Sequence, residues 1–335
     1  MAARKVLLLS VSAAVALTAL IFAMSPLLEP FRAILLPDAG PAWYFWKLPA
    51  PGLWATVSMW VLYGLHQITV WVLIRRLQQQ QKPLHPGGVG KYNVALLAVN
   101  GAFILLHMVQ TALFYDGLAQ YVPVFSSQGS VIVMLVFMLI LAAGQRGLFF
   151  GKKIHLPKEG LQFIRRNHGY YIAWALVYTF WFHPVESTWG HVLGFFYMYL
   201  LMIQMSMAYT PVHVNLKWIT ALELIVGLHG ATVALQGGST IWSMFAFGFL
   251  MMFVVTAQYG VIRAKWLKIA FTALYFASAL AVYANIFGTG QNLVMIHQIT
   301  WIPAILYGLV FVFAWAAQGI ALLLGGKPNK AAKTA

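Results

Sequence analysis

Histidine is the side chain of this sequence best suited to chemistry. The chain has ten histidines, six Asp and Glu residues and no cysteine. Imidazole binds transition metals and haem iron, and it gains or loses a proton near neutral pH. The absence of cysteine excludes disulfides, iron–sulfur clusters and covalently attached c-type haem. A metal or haem site in this chain therefore has to use nitrogen and oxygen ligands.

The densest group of candidate ligands is the segment 183–191, His-Pro-Val-Glu-Ser-Thr-Trp-Gly-His. The segment is short and lies between two apolar stretches, so it predicts a tight turn between two antiparallel helices. His183, Glu186 and His191 share this turn, and His297 is expected near the same face of the membrane. Imidazole and carboxylate groups together suit a transition metal ion. We therefore predict a metal site formed by these four residues.

Two further histidines, His107 and His229, are predicted at a similar depth in two different helices. Single histidines from two helices can be the axial ligands of one b-type haem. Tyr178 and Trp181 lie on one aromatic face of a neighbouring helix and would form a wall for a flat cofactor or a quinone. The alternative is that the histidines only form hydrogen bonds between helices and that the aromatic face is ordinary packing.

Glu223 and His66 are predicted together nearer the inner surface, roughly 9–12 Å from it by the rise of an α-helix. Glu223 is the only carboxylate that falls well inside a predicted apolar span. A carboxylate and an imidazole at one depth can relay protons, so we predict these two as catalytic residues. A structural hydrogen bond between the two helices is the alternative.

The composition predicts that these residues belong to a multi-pass membrane protein. Hydrophobic residues make up 61% of the chain and charged residues only 8%, whereas a soluble domain has about 25% charged residues. Runs of about 20 apolar residues mark helices that cross a membrane. The sequence predicts one all-α transmembrane domain, 1–335, with about ten such helices. The predicted spans are 5–24, 53–74, 92–115, 129–149, 168–184, 191–210, 217–236, 240–260, 267–287 and 298–324.

Basic residues set the predicted orientation of the helices. With the N-terminus inside, all Lys and Arg residues except Arg32 and Lys47 fall on the inner side, as the positive-inside rule requires. Both termini are therefore predicted to be cytoplasmic, in the inner (plasma) membrane. The formal net charge of +15 then reflects topology and attraction to anionic membrane lipids, and not nucleic-acid binding.

Three segments lie outside or at the start of the helical core. Residues 1–24 have the basic start and apolar run of a signal peptide but no clear cleavage site, so we predict an uncleaved first span. Residues 25–52 are predicted as the longest outer loop, rich in proline and with aromatic residues at 43–46. Residues 325–335 are predicted as a polar cytoplasmic tail.

Three functions remain open from the sequence. The first is an integral membrane oxidoreductase, or a related metal- or haem-dependent enzyme, whose histidine-rich outer half acts on a lipid-soluble substrate such as a quinone. The second is a proton-coupled transporter that uses Glu223. The third is a non-catalytic membrane assembly subunit. The motifs of di-iron membrane hydroxylases, zinc proteases and P-loop enzymes are absent from the sequence, which argues against those classes.

Overall fold

The computed structural model describes residues 2–36, 47–80 and 88–324. This part of the chain is helical and contains no β-strand, which confirms the all-α class. The apolar runs form helices because a backbone in hydrocarbon must satisfy its own hydrogen bonds. The α-helices are α1 (Ala3–Met24), α2 (Glu29–Arg32), α3 (Leu53–Gln79), α4 (Lys91–Phe114), α5 (Val124–Arg146), α6 (Lys158–Phe182), α7 (Trp189–Ser206), α8 (Leu216–Gln236), α9 (Trp242–Met252), α10 (Gln258–Val261), α11 (Lys265–Tyr283) and α12 (Trp301–Leu323). The described chain also contains 3-10 helix at Ser25–Leu28, Leu118–Gln120 and Leu293–Thr300, and a π-helical turn at Phe253–Ala257.

Eight helical segments of the described residues are long and apolar enough to cross a membrane, which indicates a multi-pass membrane protein. They are Ala3–Arg32, Leu53–Gln79, Lys91–Phe114, Val124–Arg146, Leu216–Gln236, Trp242–Val261, Lys265–Tyr283 and Leu293–Leu323. The predicted fifth and sixth spans form α6 and α7, which are not among the eight. α6 begins with charged residues that include Lys158 and Arg166, and α7 carries polar residues such as His191 and Gln204. The predicted count of ten spans therefore stays a prediction.

The predicted outer loop 25–52 begins as helix. Ser25–Leu28 and α2 continue directly from α1, and each has its proline in the first turn, where the missing N–H does not interrupt a helix. The aromatic residues at 43–46 and the tail 325–335 lie outside the described residues.

Contacts divide the chain into two compact units. Unit 1 comprises Met1–Val131 and Gly169–Leu222, and unit 2 comprises Ile132–His168 and Glu223–Ala335. In unit 1, α4 packs against α1, α3 and α7, and α1 also packs against α7. In unit 2, α9 packs against α11, α12 and Leu293–Thr300. Each unit has its own set of buried polar residues.

A loop that follows α5 docks against the π-helical turn of unit 2. Gly147 has a φ of 76° in this loop, a backbone conformation that favours glycine. The Phe150 N–H donates to the Val255 carbonyl at 2.8 Å. A π-helical turn shifts the regular hydrogen bonds of a helix. Here the Val255 carbonyl of the turn accepts a hydrogen bond from the loop. This docking fixes the position of Arg146, the last residue of α5.

Candidate functional sites in the two units

His66 lies in a chain of hydrogen bonds that crosses four helices of unit 1. The Trp181 indole N–H donates to His66 Nδ1 at 3.1 Å, and His66 Nε2 lies 3.0 Å from Asn100 Oδ1. Because an indole can only donate, Nδ1 is an acceptor and Nε2 carries the proton. Asn100 Nδ2 donates to Ser206 Oγ at 3.1 Å, and Ser206 donates to the Met202 carbonyl at 2.7 Å. Both ring nitrogens of His66 are therefore engaged within the protein.

His107 lies in the same core, but neither of its ring nitrogens has a hydrogen-bond partner among the described residues. Its side chain is completely buried. Its ring centroid lies 4.3 Å from that of Trp181 and 4.7 Å from that of Phe180. Gln110 follows one turn along α4 and is also buried, with neither amide atom bonded in the described structure. One turn of α4 thus carries two buried polar side chains that have no hydrogen-bond partner among the described residues.

The turn between α6 and α7 brings His183 and His191 together, with ring centroids 5.5 Å apart. Thr188 caps α7, because its hydroxyl accepts from the His191 backbone N–H at 3.4 Å. The same hydroxyl lies 2.8 Å from His191 Nδ1. The spacing of the two rings is compatible with two imidazoles on one metal ion, since metal–nitrogen bonds are about 2.0–2.1 Å long.

Glu186 lies in the same turn, and both of its carboxylate oxygens are engaged. Arg32 contacts both oxygens, the Tyr115 hydroxyl donates to Oε2 at 2.8 Å and the Ser187 N–H donates to Oε1 at 2.6 Å. Arg32 also donates to the hydroxyls of Ser25 and Ser187 at 3.0 and 2.9 Å. Burial alone would raise the pKa of Glu186, but the Arg32 guanidinium and the other donors outweigh burial and lower that pKa. The carboxylate is therefore held in its ionised form.

Asp116 is a second buried carboxyl group of unit 1, just beyond the end of α4. It accepts hydrogen bonds from the Tyr121 hydroxyl at 2.5 Å and from the Gly117 N–H at 2.8 Å. Burial raises the pKa of Asp116 to about 6, although both hydrogen bonds act in the opposite direction. Asp116 therefore changes protonation at a milder pH than an ordinary aspartate.

Unit 2 contains its own ion pair, between Arg146 and Glu223. Nη1 and Nη2 of Arg146 donate to the two oxygens of Glu223 at 2.6 and 2.5 Å. Arg146 is only 3% exposed, and its Nε has no partner among the described residues. Both side chains line a cavity of about 30 Å³, together with apolar residues such as Leu135 and Phe249. A cavity of this size has room for about two water molecules.

The residues predicted from the sequence are distributed between the two units. Unit 1 contains His66, His107, Tyr178, Trp181, His183, Glu186 and His191, and unit 2 contains Glu223, His229 and His297. The predicted haem pair and the predicted proton-relay pair therefore each take one residue from each unit. His297 is exposed and its Nδ1 lies 2.9 Å from the Val294 carbonyl oxygen, while Tyr178 stacks on Trp174 at 5.4 Å. No group of three or more His, Asp and Glu side chains in the described ranges is arranged to hold a metal ion.

Sequence reasoning missed three polar residues of these sites: Arg32, Asn100 and Arg146. Arg146 was counted with the basic residues of the inner side, whereas the structure buries it beside Glu223. A signal for this pair does exist, because an arginine at the end of one apolar run complements a carboxylate inside another. Arg32 is likewise conspicuous as one of two basic residues on the predicted outer side.

No protein-family model, curated protein or solved structure matches the chain. Its function therefore has to be inferred from the sites themselves. The His107–Gln110 turn of unit 1 and the Arg146–Glu223 pair of unit 2 both contain buried polar atoms that have no hydrogen-bond partner in the described structure.

Proposed function

We propose that the protein is an integral oxidoreductase of the inner membrane, with cytoplasmic termini, that acts on a lipid-soluble carbonyl compound such as a quinone. The single observation that carries the proposal is the buried, unpaired turn of His107 and Gln110. A buried polar group without a partner costs roughly 2–7 kcal/mol. Two such side chains on one helix turn favour a ligand that supplies the missing hydrogen bonds.

The chemistry of this turn suits the head group of a quinone. An imidazole N–H and a carboxamide N–H are both donors, and a quinone has two carbonyl acceptors. Trp181 and Phe180 lie against His107, so the surroundings of His107 are aromatic, which suits a flat ring. A lipid-soluble substrate would also reach an intramembrane site through the bilayer.

Oxidation or reduction of a quinone requires a second redox group, and we propose a transition metal ion held by His183 and His191. Their ring spacing of 5.5 Å supports this pair, whereas Glu186 is already bonded to Arg32 and Tyr115. Haem b is the alternative. Elemental analysis of the purified chain, together with its visible spectrum, separates a metal ion from haem. A colourless protein with less than one metal atom per chain would refute both.

The substrate site is tested with His107→Leu, which keeps the approximate size of the side chain and removes both ring nitrogens. We expect the variant to bind a short-chain quinone at least about tenfold more weakly in equilibrium dialysis, because one or two hydrogen bonds are lost. His155→Leu is the matched control, since His155 is exposed and lies in the other unit. Equal quinone affinity of the His107 variant and the control would disprove the site.

Proton-coupled transport is a second candidate, and the ion pair of Arg146 and Glu223 beside a cavity favours it. Ionisable residues within membrane spans commonly mark ion or proton pathways. In vesicles with an imposed pH gradient, Glu223→Gln should abolish proton-linked uptake. An unchanged uptake rate would count against transport.

A further inference from the structure

The Arg146–Glu223 pair combines three features that rarely occur together at a structural ion pair. Arg146 is almost fully buried, its Nε has no partner in the described structure, and a cavity adjoins the pair. An arginine side chain remains protonated under all ordinary conditions. The site is therefore electrically neutral only while Glu223 is ionised, and an uncompensated buried charge is strongly unfavourable.

Glu223 is the more exposed member of the pair. Its side chain is 16% exposed, compared with 1% for Arg146. Protonation would leave the guanidinium without a counter-charge.

Among the described residues that line the cavity, only Arg146 and Glu223 are charged. The residues of α9 and of the π-helical turn that line the cavity, such as Phe249 and Phe253, are apolar. From α12, the Tyr307 hydroxyl interacts electrostatically with both Arg146 and Glu223, and it is hydrogen-bonded to Thr256. The cavity lining thus supplies one fixed positive charge, which selects for a monovalent ligand.

We propose that this cavity binds one small monovalent oxyanion, of the size of formate or nitrate, on Arg146 when Glu223 is protonated. A planar oxyanion reproduces the two parallel hydrogen bonds that the Glu223 carboxylate makes, because the guanidinium fork matches that geometry. Proton and anion binding are then linked, so that each increases the affinity of the other.

The decisive experiment is calorimetric titration of the purified full-length chain with formate at neutral pH. Glu223→Gln imitates the protonated carboxyl group and should bind formate at least about tenfold more tightly than the wild type, since the competing carboxylate is gone. Glu159→Gln removes a carboxylate elsewhere in unit 2 and is the matched control, with wild-type affinity expected. The double variant Arg146→Gln/Glu223→Gln is neutral at both positions and should lose formate binding. Sulfate, a dianion, should bind weakly to every variant.

Two results would overturn the proposal: equal formate affinity in Glu223→Gln and the wild type, or undiminished affinity in the double variant. If Glu223→Gln does not fold, the wild type provides the test, because its formate affinity should rise as the pH falls. A wild-type affinity that is independent of pH would also overturn it. The measurement is equilibrium binding, so a failure of proton-linked transport would leave this inference standing.

Discussion

Each unit contains an arginine–glutamate pair, and the two pairs differ in what surrounds them. In unit 1, Arg32 and Glu186 share a network with the hydroxyls of two serines and a tyrosine. In unit 2, the hydrogen bonds of Arg146 and Glu223 run between the two residues, and a cavity adjoins them. A buried ion pair stabilises a fold well only when further hydrogen bonds satisfy its charged groups. We infer that the Arg32–Glu186 pair stabilises the protein. The Arg146–Glu223 pair is better suited to binding another anion on Arg146 in place of the Glu223 carboxylate.

The two buried histidines of unit 1 show the same contrast within one core. His66 has a donor on one ring nitrogen and an acceptor on the other. His107, whose ring also contacts Trp181, has neither among the described residues. His66 therefore connects helices of unit 1, whereas the unsatisfied nitrogens of His107 are the basis of the proposed substrate site.

The largest expected effect is that of Glu186→Ala. This variant leaves Arg32 without its main partner and removes the acceptor of the Tyr115 hydroxyl, so the free energy of unfolding should fall by about 3–5 kcal/mol. Glu29→Ala removes the other carboxylate that contacts Arg32, but Glu29 has 67% of its side chain exposed. Its loss should change stability by about 1 kcal/mol or less. Thermal unfolding in detergent compares the two, and similar losses would erase the distinction between the networked carboxylate and the exposed one.

The next largest effect on the free energy of unfolding should distinguish His66 from His107. His66→Leu leaves the Trp181 indole N–H and the Asn100 carbonyl unpaired, and should lower the free energy of unfolding by roughly 2–4 kcal/mol. His107→Leu removes two unsatisfied nitrogens from an apolar core, and should leave the stability of the ligand-free protein unchanged within about 1 kcal/mol or raise it.

The measurement is again thermal unfolding, with and without a short-chain quinone. A ligand that binds only the folded state stabilises it, so quinone should raise the unfolding temperature of the wild type and not that of His107→Leu. If His107→Leu proved as destabilising as His66→Leu, the observation behind the proposed substrate site would be lost. The assembly-subunit hypothesis, with histidines that only connect helices, would then be favoured.

The positions of the helices could be predicted, because they depend on local patterns in the sequence. Which side chains contact one another could not be predicted in the same way. Hydrophobic runs located the helices, including α6 and α7 on either side of the His183–His191 turn. His66 and Glu223 were predicted at the same depth from the inner membrane surface and were therefore grouped together. In the structure, His66 is hydrogen-bonded to Asn100, and Glu223 is hydrogen-bonded to Arg146. Depth fixes a position along a helix axis, while a contact also depends on how each helix is rotated and on which helices are neighbours.

Charged residues show the same limit. The positive-inside rule counts Arg146 with the basic residues of one membrane face, because the rule reads only the sequence order of loops and spans. Arg146 is buried close to where the loop after α5 docks against the π-helical turn, a tertiary contact with no sequence motif. Arg146 and Glu223 could therefore each be noticed in the sequence, but the contact between them could not be predicted.

The smallest expected effect concerns Asp116, whose burial makes it a third kind of carboxyl group. Its pKa is raised from the ordinary 3.8 to about 6, so the folded state binds this proton more tightly than the unfolded state. Asp116 makes its full contribution to the free energy of unfolding below the unfolded-state pKa of 3.8. This contribution is lost as the pH rises through the folded-state pKa of about 6. Asp116→Asn removes this dependence, and its stability relative to the wild type should rise by roughly 2 kcal/mol between pH 3.8 and pH 6, since one pKa unit corresponds to about 1.4 kcal/mol. Unfolding temperatures of both proteins measured across the window test this, and parallel pH profiles would show that folding leaves the pKa of Asp116 unchanged.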